Sequence, residues 1–377
     1  MSPWSLSGKV QVWGRVDRMN VYDEINRYKA QESLTRAVTP PSSWYTSPEV
    51  SDLESRSVFF GNWIVVGRAD QVSDPGQYFT VDVCEEPIVV VMSDELRAFY
   101  NVCRHHASIV MTGEGTANAM HCPYHGWTYN LDGSLRSTPQ FAGAENFFLE
   151  NHGLKPLRVG VSNGFVFVCQ SDLSPALPDY LGEVSTELDA CGMADLRFYR
   201  RMVYDLDCNW KVFVDNYLDG GYHVPILHKG LSNAIDYRGY KSRFGERHAT
   251  QYCEMSNDNE SEETRRGSMA NYIWLYPNMM FNFYDDILDT NLVIPVSENR
   301  CKVVFDFYFT EGQFDDEFKE QSITMSDRIQ AEDEMICLAV QKGLQSRAYE
   351  VGRLSPEKEA GEHLFHRLLH KDLMSCF

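Results

Sequence analysis

Positive charge is scarce in this sequence: 34 lysines and arginines stand against 54 aspartates and glutamates, a formal net charge of −20. Binding to a phosphate backbone needs a basic face, so the balance argues against nucleic acid as a partner. No apolar run reaches the roughly 20 residues of a membrane span, so no membrane partner is expected. Met1–Val10 lacks a basic start followed by an apolar stretch, which argues against a secretory signal. The expected location is the cytoplasm, with plastid stroma after removal of a transit peptide as the alternative. There is no Gly-rich dinucleotide fingerprint after a strand, so the chain is not expected to bind its own nicotinamide or flavin in that way. Internal repeats are missing too. The 10 cysteines are irregularly scattered over 377 residues, which is no disulfide framework. Most are expected to be buried thiols packing as small hydrophobes.

What is present falls into two patterns. Up to Pro40-Pro41 the chain reads as helix, with Tyr22, Ile25, Tyr28 and Leu34 roughly one turn apart. From 42 to about 172 come short β-rich runs separated by turn residues, Trp63–Val66, Tyr78–Val81, Ile88–Val91 and Phe165–Val168, which predict a small antiparallel β domain. Pro175 and Pro178 mark a surface connection. A mixed region follows over 173–377. Asn209–Tyr222 has helical spacing, Tyr272–Phe283, Asn291–Pro295 and Cys301–Phe309 have strand character, and Glu317–Gly343 predicts one long amphipathic helix. The polar run Asn257–Arg266 is expected to be an exposed loop. The fold class is therefore α+β.

Two short pairs carry chemistry. Cys103-Arg104-His105 is followed by Cys122-Pro123-Tyr124-His125, each pair offering one thiolate and one imidazole on a loop between predicted strands. This suits a two-iron cluster with cysteines on one iron and histidines on the other, since neutral imidazoles raise the reduction potential. A zinc site uses the same ligand types, although it usually pairs cysteine with cysteine. The longer stretches Cys103-Arg104-His105-His106 and Cys122-Pro123-Tyr124-His125-Gly126-Trp127 resemble the cluster loops of Rieske oxygenases. That resemblance implies a [2Fe-2S] cluster held by Cys103, His105, Cys122 and His125, with His106 and His121 as rim neighbours. Gly126 would permit close backbone approach.

The segment Asn209 to His228 is similar to the same family's mononuclear-iron helix. The resemblance places His223 and His228 on Fe(II), with Asp333 as the third ligand and Glu332 and Asp289 as rivals for that role. Five residues on a regular helix turn by roughly 500°, so the two histidines need a break between them, and Pro225 supplies one. Gly220-Gly221 before His223 also costs helix stability, about 1 kcal/mol per glycine. In most of the family an acid three residues before the first histidine bridges the two metal sites across a subunit boundary. Here Gly220 stands there, and Asp219 takes the role if the helix is regular, with Asp215 as the alternative.

The resemblance further implies a curved antiparallel catalytic sheet packed against helices (helix-grip type), with residues 1–41 packing on that domain. It also implies a homotrimer, a separate ferredoxin or flavin reductase as electron donor, and a small-molecule substrate hydroxylated with O2. Within the family the likeness is to choline monooxygenases, through Asp215 to Pro225, Leu227 to Gly230, Tyr276-Pro277-Asn278 and Asp289 to Val293. Phe283 to Leu288 departs from that pattern. Tyr272, Trp274 and Tyr276 alternate along a strand, and with Tyr284 they are candidates for a cage around a methylammonium group. Rings that simply fill the core are the alternative. Other substrates of the same chemistry are methylammonium or aromatic compounds. Outside that class stand an electron carrier or redox sensor keeping only the cluster, and a zinc-stabilised binding module.

Overall fold

Short runs rich in β-branched and aromatic residues fold into strands because such side chains pack well on a pleated, half-buried surface. The computed structural model describes residues 20–255 and 268–377; residues 1–19 and the run Asn257–Arg266 lie outside them. Ten strands form the first half: β1 (Ile64–Arg68), β2 (Gln77–Val83), β3 (Glu86–Met92), β4 (Leu96–Tyr100), β5 (Glu114–Thr116), β6 (Met120–His121), β7 (Thr128–Tyr129), β8 (Leu135–Ser137), β9 (Pro156–Ser162) and β10 (Phe165–Cys169). Seven of them make one antiparallel sheet, ordered β1-β10-β9-β4-β3-β2-β5, while β6-β7-β8 form a small sheet of their own. The chain departs from β4 and re-enters at β9, two paired neighbours, with Tyr100 N–H donating to the Lys155 carbonyl at 3.0 Å.

The second half holds β11 (Leu196–Leu206), β12 (Lys241–Phe244), β13 (His248–Glu254), β14 (Met269–Leu275), β15 (Met279–Tyr284), β16 (Ile287–Ser297) and β17 (Arg300–Thr310). They pair in the order β11-β17-β16-β15-β14-β13-β12. Its helices are α1 (Val21–Ile25) and α2 (Pro48–Glu54) from the N-terminal side, then α3 (Leu177–Leu181), α4 (Glu183–Ala190), α5 (Trp210–Leu218), α6 (Val224–Leu227), α7 (Lys229–Ala234), α8 (Asp316–Leu344) and α9 (Ala360–Met374). Helix α5 lies on β16 and β17 between α8 and α9. Strand alternation divides the core: Tyr272, Trp274 and Tyr276 of one face join the cluster containing α5 and α9, whereas Ile273 and Leu275 pack with Trp63, Val65, Phe165 and Phe167 of the first sheet. This is the α+β architecture expected, with one antiparallel sheet on each side of a shared core.

Two local expectations need correction. The N-terminal helix is only five residues long among the described residues; beyond Asn26 the chain runs in turns. Ile25 and Tyr28 are buried, Tyr28 against Trp44 and α9, so their spacing records where the segment touches α9. The stretch Tyr272–Phe283 is a hairpin, β14 and β15, turning at Tyr276-Pro277-Asn278.

Candidate metal centres and the cavity beside them

The first constellation is built on two loops. Cys103 and Cys122 are both buried, and each begins a tight turn: Ala107 N–H donates to the Cys103 carbonyl (3.0 Å), and Gly126 N–H to the Cys122 carbonyl (3.1 Å). Gly126 has φ +75°, which a residue with a Cβ adopts only under strain. The turns bring the two imidazoles together, with the His105 and His125 ring centroids 4.7 Å apart and His105 stacked on Trp127. Tyr129 hydroxyl accepts from Arg104 N–H (2.9 Å) and lies 3.3 Å from Cys103 Sγ, where it can donate to a thiolate. His105 Nδ1 is buried without a hydrogen-bond partner. Burial and the neighbouring His106 and His125 lower the His105 pKa, which keeps the ring neutral, as a metal ligand must be. Two buried thiols and two facing imidazoles thus fit the implied cluster. His106 and His121 are exposed at the rim.

The second constellation forms where α5 stops. Asn209 caps its start, accepting from Lys211 N–H at 3.0 Å. Its end comes at Leu218, because Gly220 and Gly221 take φ of +71° and +70°. The break between helix and histidines is therefore the glycine pair. Pro225, assigned that part from sequence, instead sits in the first turn of α6, where its missing N–H costs nothing. Helical periodicity does not bring Asp219 to His223 either. Asp219 follows the last residue of α5, and the turn folds its carboxylate back onto His223: Oδ2 accepts from the backbone N–H (2.9 Å) and lies 2.6 Å from Nδ1.

His228 separates α6 from α7 and is 2% exposed. Its Nδ1 lies 2.7 Å from Glu332 Oε2, and its Nε2 lies 3.0 Å from Asp333 Oδ1. Asn216 steadies Asp333 by donating to Oδ1 at 2.8 Å. One donor atom each from His223, His228 and Asp333 lie within 4.8 Å of one another. Burial opposes protonation of His228, but the bonds to Asp333 and Glu332 outweigh it and raise the pKa, so the cluster draws positive charge. Two histidines and a carboxylate with both Nδ1 atoms held from behind fit a mononuclear iron site. Of the rivals, Glu332 is the outer partner of His228, and Asp289 lies elsewhere in the cavity wall, accepting from Ser326 at 2.7 Å. Asp215 belongs to another group, bonded to Tyr45 and His366.

A cavity of about 770 Å³, including its mouth, opens beside these three residues. Phe213, Tyr217, Tyr240, Tyr272, Tyr284 and Phe305 supply rings, Asn216, Gln251, Asn282, Asn291 and Gln330 amides, and Asp289 a buried acid. Among the described residues, no lysine or arginine lines it. Tyr240 and Tyr272 are nearly parallel at 6.2 Å, and Tyr284 meets Tyr272 edge-on at 5.8 Å. Burial raises the pKa of Tyr217, Tyr240 and Tyr272 well above that of a free phenol, so their rings stay neutral. Trp274 and Tyr276 do not reach the cavity. They share a strand face with Tyr272 but stand farther along it, packed on Phe365 of α9, and Tyr276 donates to Asp372 at 2.8 Å. Tyr217 and Tyr240 were not singled out from sequence for the cavity: one sits in the apolar spacing of α5, the other in a stretch without strand or helix pattern.

Known proteins match along nearly the whole chain. Residues 62–148 match the family described as "Rieske [2Fe-2S] domain", and residues 193–374 the family described as "Ring hydroxylating alpha subunit (catalytic domain)". Choline monooxygenase, chloroplastic, of Arabidopsis thaliana is 42% identical over 93% of this chain and 86% of its own length. The carnitine monooxygenase oxygenase subunit of Acinetobacter pittii is 31% identical over 86% of this chain and 90% of its own. The quaternary ammonium Rieske monooxygenase CntA, solved with L-carnitine, superposes with a TM-score of 0.80 at 30% identity, covering 90% of this chain and 96% of that one. No helix among the described residues is long and apolar enough to cross a membrane. With a Rieske [2Fe-2S] domain ahead of a mononuclear-iron catalytic domain, the chain belongs to the Rieske non-haem iron oxygenases, as an enzyme of the alpha, or oxygenase, component type.

Proposed function

We propose that this oxygenase hydroxylates a compact quaternary ammonium alcohol, choline, giving the hydrate of betaine aldehyde. The observation that carries the reading is the aromatic cavity beside His223, His228 and Asp333, with Asp289 as its buried acid and no cationic side chain in its wall among the described residues. Neutral rings attract a methylated ammonium through their faces, and desolvation strengthens the attraction. A carboxylate-bearing betaine such as carnitine finds no positive partner there, so the cavity favours an alcohol. The names of the plant and bacterial relatives support a quaternary ammonium substrate.

In this reading Cys103, His105, Cys122 and His125 hold the cluster, and His223, His228 and Asp333 hold ferrous iron. The bound metals supply electron storage and activation of dioxygen. Tyr217, Tyr240, Tyr272 and Tyr284 enclose the ammonium group, and Asp289 balances its charge. The amides of Asn282, Asn291 and Gln251 are in place to orient a hydroxyl. Asp219 and Glu332 keep the Nδ1 side of each histidine occupied, which leaves Nε2 for the iron. Asp219 also bridges to the cluster of a neighbouring chain in a homotrimer, and a ferredoxin or flavin reductase delivers the electrons. The chloroplastic relative favours the plastid stroma over the cytoplasm as the place of action.

The test is substrate-dependent oxygen consumption, with product analysis, for choline, carnitine and γ-butyrobetaine under a common electron donor. Coupled turnover with choline and little with the two acids is expected. Preference for either acid, or for a neutral aromatic, overturns the substrate assignment.

A further inference from the structure

We propose that the chain carries a further divalent-cation site, separate from the cluster and the iron, formed by Asp215, Glu362 and His366. One donor atom of each lies within 4.8 Å of the others. Asp215 comes from α5, and Glu362 and His366 stand one turn apart on α9, so rigid elements fix all three. Glu362 is 8% exposed and has no hydrogen-bond or ion-pair partner among the described residues. Burial above all, and then the acids Asp215, Glu359 and Asp219, push its carboxyl well above the usual range.

The surroundings resemble the outer support of a metal ligand set. Tyr45 donates to Asp215 Oδ2 at 2.7 Å, which leaves Oδ1 facing His366 Nε2 at 2.9 Å. His366 is wholly buried. A cavity of about 700 Å³ leads to Asp215 and Glu362, and among the described residues neither lysine nor arginine lines it. An ion can enter there, and the acids of the wall favour a cation. Two carboxylates and an imidazole suit zinc, manganese or ferrous ion better than calcium or magnesium, whose preferred ligands are all oxygen. The next residue of α5, Asn216, reaches Asp333 and lines both cavities, so the two sites are neighbours along one helix with different side chains as ligands.

The experiment loads holoprotein with zinc, removes excess by gel filtration, and measures zinc, iron and sulfide in the same sample. Wild type is expected to retain one equivalent of zinc per chain without losing iron. The double variant His223→Ala/His228→Ala, which removes the iron site, should retain it as well. Glu362→Gln, close in shape to the native side chain, should lose the zinc and keep iron and sulfide. Thermal unfolding gives a second readout: zinc should raise the midpoint of wild type and of the double variant, and leave Glu362→Gln unmoved. Absence of retained zinc in wild type, or equal zinc in wild type and Glu362→Gln, overturns the proposal. If zinc is lost only with the iron-site histidines, the metal was replacing iron, and the proposal likewise fails.

Discussion

Behind each of the two imidazoles proposed to hold iron stands an acid: Asp219 on His223 and Glu332 on His228, at 2.6 and 2.7 Å from Nδ1. Removing such outer partners costs about 10–100-fold in metal affinity. Asp219→Asn and Glu332→Gln should therefore each weaken iron binding by that factor, read by iron content after dialysis, with the cluster's visible spectrum unchanged. For Asp219 turnover should stay low at saturating iron; full recovery would leave it with orientation alone and no part in electron transfer. The cavity rings give a second contrast. Tyr272→Leu should raise the KM for choline by about tenfold, the scale of a desolvated cation–π contact. Trp274→Phe, whose ring packs on α9, should leave it unchanged. A third prediction concerns Asp372, which accepts from Asn62 and Tyr276. Burial lifts its carboxyl above the usual 3.8 against those bonds, so the folded state keeps a proton that the unfolded chain has released. Its stabilising share is full below that usual value and is lost as pH rises through the raised one. In urea titrations from pH 4 upward, Asp372→Asn should lose less stability than wild type.

At the scale of elements, the glycine pair after α5 sets where the helix stops ahead of His223. A Cβ on Gly220 would run into the Lys358 carbonyl oxygen, and its φ alone costs a non-glycine residue about 1–3 kcal/mol. Gly220→Ala should therefore yield protein with an intact Rieske spectrum and little mononuclear iron, measured on the same preparation. The root of α5 offers a different test. Lys211, wholly buried, pairs with Glu54 of α2 at 2.6 Å, and Glu54 also accepts from the Trp210 indole N–H at 2.9 Å. Lys211→Met alone leaves the buried Glu54 charge with only the Trp210 N–H and should cost about 3–5 kcal/mol, whereas Lys211→Met with Glu54→Gln, which removes the charge and keeps an acceptor for Trp210, should recover most of it in denaturant titrations. Sequence shows the cost of Gly220-Gly221 and Pro225 in a helix, but not which of them makes the break. That choice follows from close approaches to Lys358 and Tyr240, far along the chain. The length of α8 was legible because apolar spacing persists through it. The brevity of α1 was not, since contact with α9 imitates a helical repeat.

For the whole molecule, the α+β division and the two cysteine–histidine pairs were visible in short local patterns, whereas His223, His228 and the distant Asp333 could be put together only through the family resemblance. The cavity wall was visible in part. Tyr272 and Tyr284 come from neighbouring strands, but Tyr217 and Tyr240 reach it through packing that no local spacing records. Assembly is open to direct measurement: in solution the protein should sediment with the mass of three 43.3 kDa chains. Mixing a cluster-loop variant with an Asp333 variant should restore part of the turnover that each lacks alone, because a cluster from one chain would serve iron in the next. Failure of that complementation in a verified mixed trimer would confine the electron path to one chain.

Tyr100 and Lys155, hydrogen-bonded across β4 and β9, bracket both cysteine–histidine loops. In the proposed reading the electron inlet is thus an inset piece of chain whose exit and return lie side by side, and which also lays β5 on β2 at the edge of the large sheet. Segments from related oxygenases could be exchanged at the same seam, provided that each brings its own β5 and the side chains that cover Val89, Val91 and Phe99. The reduction potential of the inlet can in this way be retuned by swapping one continuous piece of chain, while the pocket that selects the substrate stays as it is.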